Sequence, residues 1–279
     1  MNKKKSIITP HYRLSDFDFK IIWHYRHLLC QLIHRDVVAF YKQTILGPLW
    51  FFIQPLFSTI IYVLIFGNFA KVSTDGLPQP LFYLAGIITW NYFSECLNKT
   101  SSVFKENAHI FGKVYFPRII VPLGIVISVF IRFGIQFILF LTFLIIYHCI
   151  GHRISFNWSI GLFPLLVLLI AIQGLGIGII ISALTVKYRD LIFLISFGLQ
   201  LLMYTTTVIY PLSTAPLNLK WIIQINPMTA IIETFRYAFL GRGSFSWQAL
   251  GYSSTITIII ISIGIIVFHK AEKTFIDTI

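Results

Sequence analysis

Acidic residues are scarce in this 279-residue chain, ten Asp and Glu in all, and they are dispersed. With neither GxSxG nor HExxH present, no hydrolytic or transferase constellation emerges. A nucleotide loop is missing too. The one glycine-rich run, GLGIGI at 174–179, sits in an apolar stretch with no GK[ST] after it and no strand before it. If ATP drives this protein, another subunit binds it. Only three cysteines occur, Cys30, Cys96 and Cys149, without CxxC or ligand spacing, so neither a disulfide framework nor a metal cluster is indicated. His148 and His152 form an isolated HxxxH suited to an interfacial role. The N-terminal MNKKKSIITPHYRLSDFDF has no uninterrupted apolar core and no small-residue cleavage site, so a cleaved signal peptide is not expected.

Apolar side chains fill the space these absences leave. Hydrophobic residues make up 57% of the chain, charged residues 11%, and the mean hydropathy is +0.80, values of an integral membrane protein with no room for a soluble catalytic domain. Six stretches are long enough to cross about 30 Å of hydrocarbon: 46–69, 81–97, 119–147, 160–186, 191–210 and 250–268. Six spans place both termini on one side. Sixteen of the 22 Lys and Arg fall on that side, five on the other, and Arg132 lies within a span. The termini are therefore expected in the cytoplasm, and the formal charge of +12 reflects topology and anionic headgroups, with no nucleic-acid face. The domain plan is a cytoplasmic N-terminus (1–45), a six-helix membrane domain (46–268) and a cytoplasmic tail (269–279).

Before the first span, Lys20, His24, His27, Gln31 and His34 recur at helical spacing, opposite a stripe of Ile22, Tyr25, Leu29 and Leu32. This predicts an amphipathic helix in the cytoplasmic interface, either an anchor or a docking surface for a partner. In YKQTILGPLW, Tyr41 and Lys42 mark the headgroup level, and Gly47-Pro48 lets the chain turn from that in-plane helix into the first span, as an elbow. The long external segment 211–248 carries a helix signal of its own. Asn226 is placed as N-cap, Pro227 as first helical residue and Gly241 as stop, with Glu233 and Arg236 spaced to pair. Two short helices in or on the outer leaflet are expected there. Inside the spans, Arg132 calls for a partner or a wet path, and Glu95 is the only embedded acid. Pro55 bends the first span; Gly174, Gly176 and Gly178 permit close backbone approach in the fourth.

Several separated motifs agree in order with one family. YKQTILGPLWFFIQP, LFYLAGIITWNYFSECL, NAHIFGKVYFPRIIVPL, KYRD and INPMTAIIETFRYAFLG resemble the transmembrane subunit of ABC exporters for lipid-linked bacterial polysaccharides, type-2 permeases, with the O-antigen branch nearest and the capsule and teichoic acid exporters as relatives. The resemblance implies an all-α fold of six transmembrane helices with an N-terminal interface helix, a cytoplasmic coupling helix and short re-entrant external helices before the last span. It implies two copies of this chain with two cytoplasmic nucleotide-binding subunits, a polyprenyl-linked glycan as substrate, and a bacterial inner membrane. No cofactor is expected on this chain itself, ATP and Mg belonging to the partner. In these terms the interface helix at 16–35 docks the ATPase. Lys105, Phe111, Lys113, Tyr115 and Arg118 lie in the coupling loop, and Lys187, Arg189 and Asp190 supply a smaller contact. The first and fifth spans face the conduit, which makes Tyr62, Phe66, Phe69 and Tyr204 its candidate lining, together with Arg132. A lipid or drug exporter and a membrane-bound glycan transferase are the competing readings.

Overall fold

A computed structural model describes residues 23–42, 46–107, 111, 116–152, 154–185, 188 and 190–276. Among these every regular element is a helix. In chain order they are α1 (Arg26–Lys42), α2 (Trp50–Tyr62), α3 (Gln79–Ser101), α4 (Val103–Glu106), α5 (Ile120–Cys149), α6 (Phe163–Thr185), α7 (Leu191–Tyr204), α8 (Leu217–Ile225), α9 (Pro227–Leu240) and α10 (Trp247–Ile276). The segments Gly47–Phe69, Ile120–Cys149, Trp158–Thr185 and Trp247–Glu272 are long and apolar enough to cross a membrane, so the chain is a multi-pass membrane protein.

The helix at the centre of the bundle is the least apolar of the expected spans. α3 begins after Pro78 with Pro80 in its first turn, and residues 81–90 are all buried. It packs along α6, α5 and α2. Glycines of α6 make this close approach attainable: a Cβ on Gly174 would lie 2.6 Å from Cys96 Cβ, and one on Gly178 only 1.7 Å from Thr100 Oγ1. Gly176 points the other way, where a Cβ would meet Ile260 of α10 at 2.8 Å. GLGIGI is thus a two-sided packing surface, as small residues in membrane helices generally are. Gln173 adds a polar tie, donating from Nε2 to Thr257 Oγ1 at 2.8 Å and to Ser253 Oγ at 3.2 Å.

α1 lies against α5. Leu32 is buried, Tyr25, Leu28 and Leu29 pack on the core, and His24, His27, Gln31 and His34 are exposed, so the amphipathic pattern orients the helix as its spacing predicts. A 3-10 turn, Gly47–Leu49, leads directly into α2. Within α2 the buried Pro55 has no N–H, and its own carbonyl accepts from Thr59 Oγ1 at 2.7 Å. The helix then widens into a π-helical stretch, Val63–Phe69.

Two expectations need correction. The fifth apolar stretch is not one helix to residue 210: α7 ends at Tyr204, where the hydroxyls of Thr205 and Thr206 donate to the carbonyls of Leu202 and Met203, offering the backbone an alternative to the next turn. Its 14 residues measure about 21 Å, short of the hydrocarbon thickness. α10 is longer than the 250–268 stretch, running Trp247–Ile276: beyond Phe268, which stacks on Phe104 with centroids 4.7 Å apart, Ala271 packs on the core and Glu272 meets Arg118.

Candidate transport path and coupling surface

Arg132 sits near the middle of α5 and is buried. Its Nη1 lies 2.9 Å from Glu95 Oε2 on α3, and its guanidinium stands 5.2 Å from the centre of the Phe51 ring on α2. One cation therefore ties three helices. An unpaired arginine at mid-bilayer costs about 3 kcal/mol or more, which a carboxylate at hydrogen-bond distance and an aromatic face offset.

Of the conduit candidates, the structure brings Tyr62 and Phe66 together in an edge-to-face pair at 5.5 Å, and Tyr62 meets Tyr83 of α3 at 6.1 Å. Tyr62 Oη donates to Met203 Sδ at 3.5 Å, which sets α2 beside the end of α7. Tyr204, the next residue, is about half exposed, and its carbonyl accepts from Tyr210 Oη at 2.9 Å. Phe69 stands apart, 84% exposed. Arg132 lies in the ion-pair node, away from these rings.

The two short helices expected within residues 211–248 are present as α8 and α9. Asn226 caps α9, its side chain accepting from Met228 N at 3.0 Å, Pro227 opens it, and Gly241 ends it in the left-handed region at φ +70°. α9 is deeply buried against α10, α3 and α6, and Glu233 and Arg236 pair at 3.6 Å at its heart. This burial was not legible in the sequence. Arg236 donates to the carbonyls of Thr207, Val208 (2.8 Å) and Phe82 (3.3 Å), with its guanidinium 3.6 Å above the Phe82 ring. Glu233 receives Ser244 N at 3.0 Å and Ser244 Oγ at 3.2 Å, along with Leu212 N at 3.4 Å. Burial pulls the Arg236 guanidinium down to about 10 against the raising effect of Glu233, so it stays charged at neutral pH. The pair pins the turns on both sides of α9 to the bundle.

The residues expected from the sequence to form the coupling contacts divide. Lys105 on α4 is exposed; Phe111 and Arg118 are buried. Arg118 Nη1 donates to the Glu272 carbonyl at 3.2 Å, its Nε lies 3.7 Å from the Glu272 carboxylate, and its guanidinium is 5.4 Å from the Phe111 ring. Burial lowers the Arg118 pKa and Glu272 counters. Arg118 thus fastens this loop to the end of α10. Asp190 is exposed at the start of α7. Lys20, Lys113, Tyr115, Lys187 and Arg189 lie outside the described residues. At the elbow, Gly47 adopts φ +50°, a conformation that glycine takes without the penalty of a Cβ, and Pro48 follows as the second residue of the turn.

A bundle of apolar helices, with amphipathic α1 packed beside it and α9 buried against α10, α3 and α6, is the arrangement of a multi-pass membrane protein. The chain matches the sequence profile of the ABC-2 type transporter family over residues 27–240. It belongs to that family. It is 29% identical over 248 residues to the O-antigen export system permease protein RfbA of Klebsiella pneumoniae, covering 89% of this chain and 93% of that protein. The RfbA of Myxococcus xanthus is 26% identical over 92% of this chain and 97% of its own length. The polysialic acid transport protein KpsM of Escherichia coli is 22% identical over 88% and 94%.

Proposed function

We propose that this chain is the permease subunit of an ATP-driven exporter that moves a lipid-linked polysaccharide of the O-antigen type across the cytoplasmic membrane. The observation that carries this is the end-to-end similarity to permeases named for O-antigen and polysialic acid transport, from two bacterial genera in the former case. Absence of any nucleotide-binding motif in the sequence supports a division of labour, with ATP and Mg on a separate cytoplasmic subunit.

Six crossings complete the architecture. α3, at 23 residues, is about 34 Å long and need not be apolar overall, since most of its side chains meet other helices. α7 supplies most of a fifth crossing and hands over to the turns held by Arg236. The basic side of the chain, with both termini, faces the cytoplasm. Two copies form the path, its wall including Tyr62, Phe66, Phe69 and Tyr204, whose aromatic faces offer sugars many weak contacts and no single deep well. The exposed His24, His27, Gln31 and His34, with Lys20, dock the ATPase. Lys105, Lys113 and Tyr115, with Lys187, Arg189 and Asp190, form the coupling surface that its closure moves, and buried Phe111 and Arg118 transmit that movement to the end of α10. ATP binding then parts the two permeases, and hydrolysis resets them.

Affinity purification of the chain from its native membrane tests the division of labour. A Walker-bearing subunit that co-purifies supports the reading; a chain active without one points to the transferase alternative.

A further inference from the structure

α3 and α7 leave between them a cleft of about 310 Å³. Trp90, Ser94 and Asn98 line it from successive turns of α3, with Glu95 beside them, and Ser196 and Gln200 face them from α7. Spacings of four residues keep each set on one helix face. α7 is two-sided as a result. Phe193, Leu194, Phe197 and Leu201 are exposed around the rest of its circumference, and its polar side chains at Ser196 and Gln200, themselves exposed, border the cleft.

A polar stripe on a helix otherwise built of Leu, Ile and Phe is costly unless it meets water or a polar ligand. The chemistry of the lining narrows the ligand. Ser94 and Ser196 hydroxyls and the Asn98 and Gln200 amides each donate and accept hydrogen bonds, the pattern a sugar hydroxyl needs. Buried Trp90, its ring packed against Phe93, forms the apolar floor. Glu95, the one ionisable group among the described lining residues, is already held by Arg132 at 2.9 Å, and among the described residues no lysine or arginine lines the cleft, as a phosphate would require. Met203 lines the same cleft and accepts the Tyr62 hydroxyl, so the cleft continues toward the Tyr62–Phe66 pair.

We infer that this cleft is a neutral binding site for the hydroxyls of sugar residues in transit, between α3 and α7, with Gln200 and Ser196 as its recognition residues. The inference rests on the export function proposed above. Its donors and acceptors are spread over two helices, so a sugar is held by several weak bonds that a small parting of α3 from α7 releases.

The test uses the full chain with its partner in glycan-producing cells. p-Benzoylphenylalanine replaces Gln200 in one strain and Phe197, on the apolar side of α7, in another; after irradiation the permease is probed for attached glycan. Glycan on the position-200 probe, none on the position-197 probe, and loss of the signal when glycan synthesis is blocked are expected. Attachment at position 200 only to phospholipid or to a second copy of the chain overturns the inference. In parallel, Ser196→Leu with Gln200→Leu should lower surface glycan at least tenfold with unchanged membrane abundance, and Gln200→Asn should retain export; normal export by the double Leu variant also overturns it. If deleting the chain leaves surface glycan unchanged, the export function itself fails. If deletion abolishes surface glycan and both cleft tests are negative, the cleft assignment alone falls.

Discussion

The Arg132 guanidinium lies 2.9 Å from the Glu95 carboxylate, joining the middle of α5 to the later half of α3 across 37 residues of sequence. Removing one partner leaves the other charge buried, at a cost of order 3 kcal/mol. Arg132→Leu should abolish export and reduce the folded protein in membranes, and Arg132→Lys should keep part of both. Glu95→Leu combined with Arg132→Leu should recover abundance relative to Arg132→Leu alone. Immunoblotting of membranes beside a surface-glycan assay checks this, and full export by the single Leu variant would remove Arg132 from the mechanism.

Arg236 is held by three carbonyls contributed by α3 and the turn after α7, with Glu233 beside it. Gly86 on α3 presses on the same group: an added Cβ would lie 2.8 Å from Arg236 Nη2 and 2.9 Å from the Val208 carbonyl. Arg236→Met and Gly86→Val should therefore share a phenotype, loosening of the external turns, read as faster proteolysis of that side and a lower melting temperature in detergent. Arg236→Met should cost about 3 kcal/mol. A Gly86→Val variant as stable as the native chain contradicts this.

Packing between α3 and α6 gives a graded pair of substitutions. Gly178→Ala places a methyl 1.7 Å from Thr100 Oγ1 and should destabilise by about 1 to 3 kcal/mol. Gly134→Ala, where nothing lies within 4 Å of the new Cβ, should be neutral or up to about 1 kcal/mol stabilising through helix propensity. Thermal denaturation of the purified complex ranks them.

How much of this was legible in the sequence varies with the range of the interaction. The elements set by local chemistry were: the apolar stretches of α2, α5, α6 and α10, the stripe on α1, and Asn226, Pro227 and Gly241 at the ends of α9. What depends on distant contacts was not. α3 holds Asn91, Ser94, Glu95 and Asn98 and reads as a short span, yet it is central because α6 presents glycines to it. The helix of Arg236 and its pairing with Glu233 could be read from spacing, but not its burial, which arises because residues 82, 207 and 208 bring their carbonyls together around it. The end of α7 was hidden because an apolar run continues past the threonines that stop the helix.

At the coupling end, Arg118 is bonded to Glu272, so its charge reversal acts first on the loop's attachment to α10. Arg118→Glu should uncouple ATP hydrolysis from export without preventing membrane insertion, and adding Glu272→Arg should restore part of the coupling. Lys113→Glu should uncouple with no rescue from that second change. ATPase stimulation by the permease, measured with export in the same membranes, separates the two; normal stimulation and export in both single variants would sink the coupling assignment.

Gly47 at φ +50° marks the elbow between α1 and α2, where a side chain adds about 1 to 2 kcal/mol of backbone strain. Gly47→Leu with Pro48→Ala should leave assembly with the partner intact and impair export. Unimpaired export would make the turn a simple connection.

The central claim is that this chain carries a lipid-linked glycan out of the cytoplasm. Its most direct test is deletion of the chain followed by extraction of polyprenyl-linked glycan and labelling of the cell surface. Accumulation of full-length lipid-linked glycan inside the cell, with surface glycan lost and both restored by the intact gene, is the predicted result; unchanged surface glycan with no internal accumulation would contradict it.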